Sequence, residues 1–393
     1  MTEGNPDLSE ISQVFEEMAE NPVTGEVRIK FRDGRVVESN LGGGDPDSLL
    51  REVSYDFSSG VIRLESIRGD RFEVDPEGAA SKPVRPPVVY LDQCHWSTLS
   101  NSVFDRTRVR NEKDFEAAER LIEWAEAGRV IIPVSSAHAL ETSALFNERR
   151  QNLASIILKI SRGWQMRSPI AVRIHEMSEA LSKAYTDSAP LSGLDVFSLA
   201  AGAMDTKERA TLPSDLPPGL SKLTNRVTAF ASIYDVLMNP ERVPSPVPGW
   251  HEHFNRVSMD PEFQARSPKQ KAIDGRALAI NDVISEGVAT AHRLGISVEG
   301  SLAVELYERI DSMPSLRVYG DAIGHRLAIR AKWEPNDLID MLYLGCAAAY
   351  ADVVVAERAA TNYLQRSWRG ERQECPVVAK LPDAVEKVSH LLG

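Results

Sequence analysis

Four short apolar runs, PVVYLD (87–92), RVIIPVSS (129–136), DVVVAE (352–357) and PVVAKL (376–381), show no alternation of apolar and polar residues. Strands of that kind are buried on both faces, which is the environment of a parallel sheet covered by helices. Helical stretches lie between and after them. Residues 112–127 place Phe115, Ala118, Leu121, Ile122 and Ala125 on one face before Gly128, residues 137–160 and 335–351 are apolar and helical, and 382–392 closes the chain. Strand–helix alternation at both ends of residues 83–393 predicts an α/β domain with helices on both faces of a parallel sheet. Residues 161–330 read as a mainly helical insertion, broken by the turn clusters LPSDLPPG and VPSPVPGW.

The front of the chain follows other rules. LSEISQVFEEMAE (8–20) has the spacing of a short amphipathic helix. EVRIKF–RDG–RVVES and VIRLES–IRGD–RFEVD then alternate about Gly/Asp turns, as hairpins do, with LGGGDPDS between them. The Pro-, Ala- and Gly-rich linker DPEGAASKPVRPP (75–87) bounds a small antiparallel β domain, 1–82. No internal repeat is evident.

Charge is unevenly placed. Of 57 acidic and 45 basic residues, 18 and 8 fall in residues 1–80, which leaves 39 and 37 in the rest. The bulk of the chain is therefore near neutral and has room for a basic groove beside an acidic pocket. Three scattered cysteines (Cys94, Cys346, Cys375) exclude a disulfide framework and a Cys-rich zinc site. A polar, acidic start, MTEGNPDLSE, and the lack of a membrane-length apolar run lead to the expectation of a cytoplasmic protein without a membrane partner.

Acids recur at the carboxyl ends of the expected strands. Asp92 ends the first, Glu141 follows the second, and Asp352 opens and Glu357 closes the third. Asp337 and Asp340 sit three apart in the first turns of the preceding helix, on one face, with Asn336 as the expected N-cap. Ligands bind open parallel sheets at that edge. Carboxylates converging there stay ionised together only around a cation, and hard oxygen donors select Mg2+ or Mn2+. No GxxxxGK[ST] and no GxGxxG after a strand is present, which weakens nucleotide hydrolysis and dinucleotide redox chemistry.

VVYLDQCHWSTL, VIIPVSSAHALET and PNDLIDMLYLGCAAAYADVVVAER resemble, in order and in strand–helix context, the successive motifs of PIN-domain nucleases. The resemblance covers residues 87–147 and 331–391. It implies a three-layer α/β/α fold and a metal-dependent endoribonuclease acting on RNA. It places Asp92, Glu141, Asp340 and Glu357 in the catalytic metal site, with Asp337 and Asp352 as further ligands. The chain departs from the family in the size of its insertion and in Ala356-Glu357, where the family carries a hydroxyl residue and a shorter acid. A toxin or phage-defence role fits the resemblance; no residue decides it.

Each residue also has a plainer reading. Asp92 caps a turn, Glu141 and Asp337 favour a helix N-terminus, and Asp352 starts a strand. His95, His138, His251 and His253 read as neighbours rather than ligands, and no HExxH is present. Gln93, Ser135 and Ser136 serve either phosphate or turn backbone, and Cys94 packs. DRTRVR (105–110), 148–167 and YLQRSWRGERQ (363–373) interleave Arg/Lys with aromatics, as phosphate and base contacts require, or form solvated helix faces. Two other functions share these carboxylates: a PIN-like scaffold without catalysis, and a metal-dependent phosphatase on a small phosphate ester. The acidic front module invites a protein partner or docking on a basic groove, and homo-oligomerisation is left open.

Overall fold

The computed structural model describes residues 8–40, 44–74, 85–185, 193–200, 202–204, 218–239, 249–297, 300–367 and 375–393. Most of the linker, most of the turn clusters LPSDLPPG and VPSPVPGW, the LGG segment and the tail of YLQRSWRGERQ lie outside the described residues.

Helix α1 (Leu8–Val14) precedes β1 (Phe15–Asn21), β2 (Glu26–Phe31), β3 (Val36–Asn40), β4 (Leu50–Asp56), β5 (Val61–Ser66) and β6 (Arg71–Val74). Then come β7 (Val89–Leu91), α2 (Gln93–Phe104), α3 (Glu112–Glu126), α4 (Ser136–Ser143), α5 (Asn147–Ser161), β8 (Gln165–Met166), α6 (Pro169–Tyr185), β9 (Phe197–Ser198) and α7 (Pro218–Met238). Helices α8 (Trp250–Met259), α9 (Pro261–Ala265), α10 (Pro268–Asp282), α11 (Ile284–Arg293), α12 (Leu302–Glu308) and α13 (Pro314–Ala328) follow. The chain ends with α14 (Asp337–Tyr350), β10 (Val353–Val355), α15 (Arg358–Ser367), β11 (Val377–Val378) and α16 (Leu381–Leu392). It divides into two compact units. Unit 1 is Met1–Pro87, Trp96–Met166 and Phe197–Pro244, and unit 2 is Val88–His95, Arg167–Val196 and Ser245–Gly393. The span 161–330 is thus shared between them.

The front sheet of unit 1 is a structural duplication, which the sequence alone does not announce. Its six antiparallel strands run in the order β3-β2-β1-β4-β5-β6, so two three-stranded meanders join through β1 and β4. Each strand of the second copy starts 35 residues after its counterpart: Leu50 after Phe15, Val61 after Glu26, Arg71 after Val36. Both first hairpins carry a bulge at the same place, between Phe15 and Glu17 and between Leu50 and Glu52. The turns repeat as well. Gly25 and Gly60 hold φ of 71° and 72°, and Gly34 and Gly69 hold 86° and 87°. Asn21 and Asp56 each accept two turn N–H groups on a side-chain oxygen. Beyond the two glycine pairs, only Glu17/Glu52, Arg28/Arg63 and Glu38/Glu73 are identical between copies. The repeated turns and bulge keep one register in both copies.

Strand β1 corrects the helix expected over 8–20. FEEMAEN holds good helix formers, but it pairs on both sides, with β2 and β4, and pairing overrides local preference. The copies differ in what covers them. Phe72 of β6 stacks on Tyr234 of α7 at 5.4 Å, and Asp235 of α7 accepts from Ser48 Oγ (2.9 Å) and Leu49 N–H (2.8 Å). β3, the counterpart of β6, is exposed along its length.

The expected strand 129–136 is not formed. Pro133 removes a ladder donor from the middle of the run, and only isolated contacts remain: Ile131 N–H to Pro87 C=O, and a parallel bridge from Val134 to Gln165. The expected helix 137–160 is two helices, α4 and α5, broken before Asn147, whose φ is 52°.

Unit 2 holds the parallel sheet, in the order β11-β10-β7, with α14 and α16 against β10. The fold is mixed α/β, with an antiparallel front sheet and this small parallel one. α13 is the hub of unit 2 and packs on α6, α10, α14 and α15. Its approach to α10 is close because Gly320 and Gly324, one turn apart, face Gly275. Among the described residues no helix is long and apolar enough to cross a membrane.

Candidate acidic site at the carboxyl edge of the parallel sheet

β7 and β10 are parallel neighbours with Leu91 opposite Val355, so the residues after each strand emerge at one edge. Asp92 N–H donates to Val355 C=O at 2.8 Å and extends the ladder by one residue. The Asp92 carboxylate accepts from Gln93 N–H (2.8 Å) and from Glu357 N–H (3.2 Å), and the second bond ties the two strand ends together. Burial pushes the Asp92 carboxyl above its ordinary range, and the two backbone N–H groups draw it part of the way back.

α14 brings the third acid. Asp340 is pushed up to about 7, first by burial and then by the charges of Asp92, Asp337 and Glu357, with Arg326 opposing. Three segments far apart in sequence therefore place carboxylates in one electrostatic neighbourhood. Tyr363, buried on α15, adds a phenol that burial and the Asp340 and Asp92 charges hold far above its usual range. Arg326, near the end of α13, pairs with Asp337, donates to Lys332 C=O at 2.8 Å and lies over Trp333 at 4.9 Å. Nothing in the sequence pattern singles out Arg326, and Tyr363 enters it only as the first residue of YLQRSWRGERQ; both come near the acids through the packing of α13 and α15.

Several of the other expected residues take plainer roles. Asp337 joins the neighbourhood but is committed, accepting from Arg326 and from Glu334 N–H at 2.6 Å. Asp352 stands at the opposite end of β10, where it accepts Val88 N–H at 2.7 Å; a side chain on that edge is held as a strand start. Glu141 lies on α4, in unit 1. Ser135 and His138 form the capping box of α4, with His138 edge-on to Trp96 at 6.0 Å, and Ser136 Oγ donates to Met204 C=O. Gln93 and His95 open α2, where His95 N–H reaches Asp92 C=O. His251 and His253 stand on α8, with His251 edge-on to Trp250 and His253 edge-on to Phe254. Cys94 is exposed, Cys346 and Cys375 are buried, and none of the three is in a disulfide.

The basic segments are largely spoken for. Arg150 donates twice to Leu237 C=O, Arg162 to Ala125 and Glu126 C=O, and Lys159 pairs with Glu126. In DRTRVR, Arg106 pairs with Glu112 and lies over Phe115, and Arg108 pairs with Asp105. Arg366 approaches His325 Nε2 at 3.1 Å.

No family model, curated protein or solved structure matches this chain. Among the described residues no three His, Cys, Asp or Glu side chains are already drawn together in a metal-holding arrangement. What unit 2 offers is a set of coupled carboxylates on rigid strand ends and a helix. Burial first, and then the charges of Asp92, Asp337 and Glu357, push the Asp340 carboxyl up to about 7.

Proposed function

We propose that the acidic edge of unit 2 is the centre of a metal-dependent endoribonuclease that hydrolyses RNA phosphodiester bonds, within a PIN-like three-layer arrangement. One observation carries this reading: Asp92, Asp340 and Glu357, from three separate segments, act on one another at the carboxyl edge of a parallel sheet. Their all-oxygen donor set suits Mg2+ or Mn2+, and these three residues would hold it. Such an ion, when bound, polarises a phosphate and lowers the pKa of a coordinated water. The chain itself positions Asp92 through two backbone N–H groups, holds the Asp340 carboxyl above its ordinary range, and keeps Arg326 beside Asp337 as the local cation.

The expected outcome is cleavage of single-stranded RNA that EDTA stops and Mn2+ or Mg2+ restores. Asp92→Asn lowers the rate by at least about 100-fold, a loss comparable to that of one well-placed catalytic group, with its melting temperature nearly kept. Undiminished cleavage by Asp92→Asn sinks the assignment. A scaffold without catalysis is the second reading, favoured by the commitment of Asp337 to Arg326. It predicts that calorimetric titration with Mn2+ gives no binding heat that Asp92→Asn removes.

A further inference from the structure

In unit 1, one face of α2 lines a cavity of about 220 Å3 with Ser97, Ser100, Asn101 and Phe104, spaced i, i+3, i+4, i+7. That spacing is an apolar stripe in an ordinary packed helix; here three of the four positions are polar. Arg149 and Asn152 of α5 line the same cavity. The side chains of Ser97, Ser100, Asn101, Arg149 and Asn152 make no hydrogen bond or ion pair with any described residue. Ser100 is buried, Ser97, Asn101 and Asn152 are half-buried and Arg149 is exposed, so water or a ligand in the cavity can take up their hydrogen bonds.

The character of the cavity narrows the ligand. Arg108 is neutralised by Asp105 at 3.1 Å, and Glu148 stands beside Arg149, so the lining charges nearly cancel. That excludes a polyphosphate pocket. The amides present donors and acceptors side by side, as the edge of a base requires. Phe104 supplies a flat apolar wall, and Phe146, next in sequence to the lining Leu145, is 82% exposed. Exposed aromatic rings beside an arginine form a platform for unpaired bases. The volume lies below the ~300–1,000 Å3 of pockets for drug-sized ligands, and so suits a single planar ring.

We propose that this cavity receives one unpaired nucleobase of an RNA strand. Asn101 and Asn152 read the base edge, Phe104 covers its face, and Arg149 holds the adjoining phosphate. The proposal rests on RNA being the substrate of this chain, but it concerns recognition and not hydrolysis.

The test uses the full chain in EDTA, where cleavage is silent, with fluorescently labelled single-stranded oligo(A), oligo(C), oligo(U) and oligo(G) in anisotropy titrations. One homopolymer binds best, and the Asn101→Ala/Asn152→Ala variant loses about tenfold of that preference, the scale of one base-edge contact. Asp92→Asn keeps it. Wild-type affinity and preference in the double variant overturn the subsite, even if RNA is cleaved. Base-selective binding that the double variant loses, with no cleavage under any divalent cation, upholds the subsite and sinks the hydrolase reading. RNA neither bound nor cleaved sinks both. Should the double variant fail to fold, photo-crosslinking of 4-thiouridine RNA to the wild-type chain decides: labelling within residues 97–108 or 145–153 supports the proposal, and labelling only elsewhere overturns it.

Discussion

Two carboxylates of unit 2, the buried Glu176 and the half-buried Asp340, lose water to opposite ends. Glu176, on α6, accepts from Ser315 N–H (2.8 Å), Ser315 Oγ (2.7 Å), Leu316 N–H (3.3 Å) and the Tyr350 hydroxyl (2.6 Å). Two of those donors are first-turn N–H groups of α13, which have no partner inside their own helix. Glu176 therefore caps α13 from a distance; burial raises its carboxyl and the four bonds draw it back. Asp340 makes no side-chain hydrogen bond to a described residue and is crowded by Asp92, Asp337 and Glu357. Burial alone does not mark a functional acid. What marks Asp340 is burial left uncompensated by donors, the condition under which a cation gains most by binding.

The contrast breaks most easily at Glu176. Glu176→Ala leaves two N–H groups and two hydroxyls buried without their acceptor, and is expected to cost about 2–4 kcal/mol in urea denaturation. If the proposed RNA cleavage is found, its rate per folded molecule should be kept. A cost within the error of the measurement would show that water replaces the carboxylate and that the cap is dispensable.

Asp340 makes the converse prediction, and its sign follows from linkage. The folded carboxyl sits at about 7, above its unfolded value of roughly 3.9. Between those limits the folded state binds the extra proton, so this group's contribution to stability falls as pH rises from about 4 to about 7 and is flat beyond. Asp340→Asn removes the titration. Its stability relative to the wild type should rise progressively between pH 5 and 7, by a free-energy difference on the order of 2–3 kcal/mol, read from melting curves across that range. Mn2+ at pH 8 should raise the melting temperature of the wild type and leave that of the variant in place. A difference between the two that does not change with pH would mean Asp340 is not crowded by its neighbours.

Why one acid is visible in sequence and the other is not is a matter of distance along the chain. Asp92 and Glu357 end short apolar runs, and Asp340 opens an apolar helix beside one of them, so a parallel sheet brings all three to one edge by local rules alone. Glu176 lies among Val172, Met177 and Leu181 on α6, and only the docking of α13, 139 residues later, turns it into a cap. The same limit hides β1 and β4: their hairpin partners alternate visibly, whereas FEEMAEN shows its pairing only in the assembled sheet. Pro133 misleads in the other direction, sitting inside a run whose composition otherwise reads as strand.

α13 connects the two acids, since its first turn binds Glu176 and its end supplies Arg326 to Asp337. Between these ends a Cβ added at Gly275 would lie 2.5 Å from Gly320 C=O and 2.5 Å from the Gly324 Cα, both backbone atoms that yield only if α10 and α13 separate. Gly275→Ala is therefore expected to destabilise by about 1–3 kcal/mol, and its coupling to other substitutions carries the finer information. If α13 is positioned mainly by its cap, Gly275→Ala and Glu176→Ala loosen the same helix, and a double-mutant cycle gives an interaction of about 0.5–1 kcal/mol. The cycle with Asp340→Asn should give a smaller interaction, because the acids stand at the ends of β7 and β10 and on α14, and the α13 side chain that acts on them is Arg326. Coupling of similar size in both cycles would mean that scaffold and site share one strained helix, and that Asp340 owes part of its proton affinity to the position of Arg326.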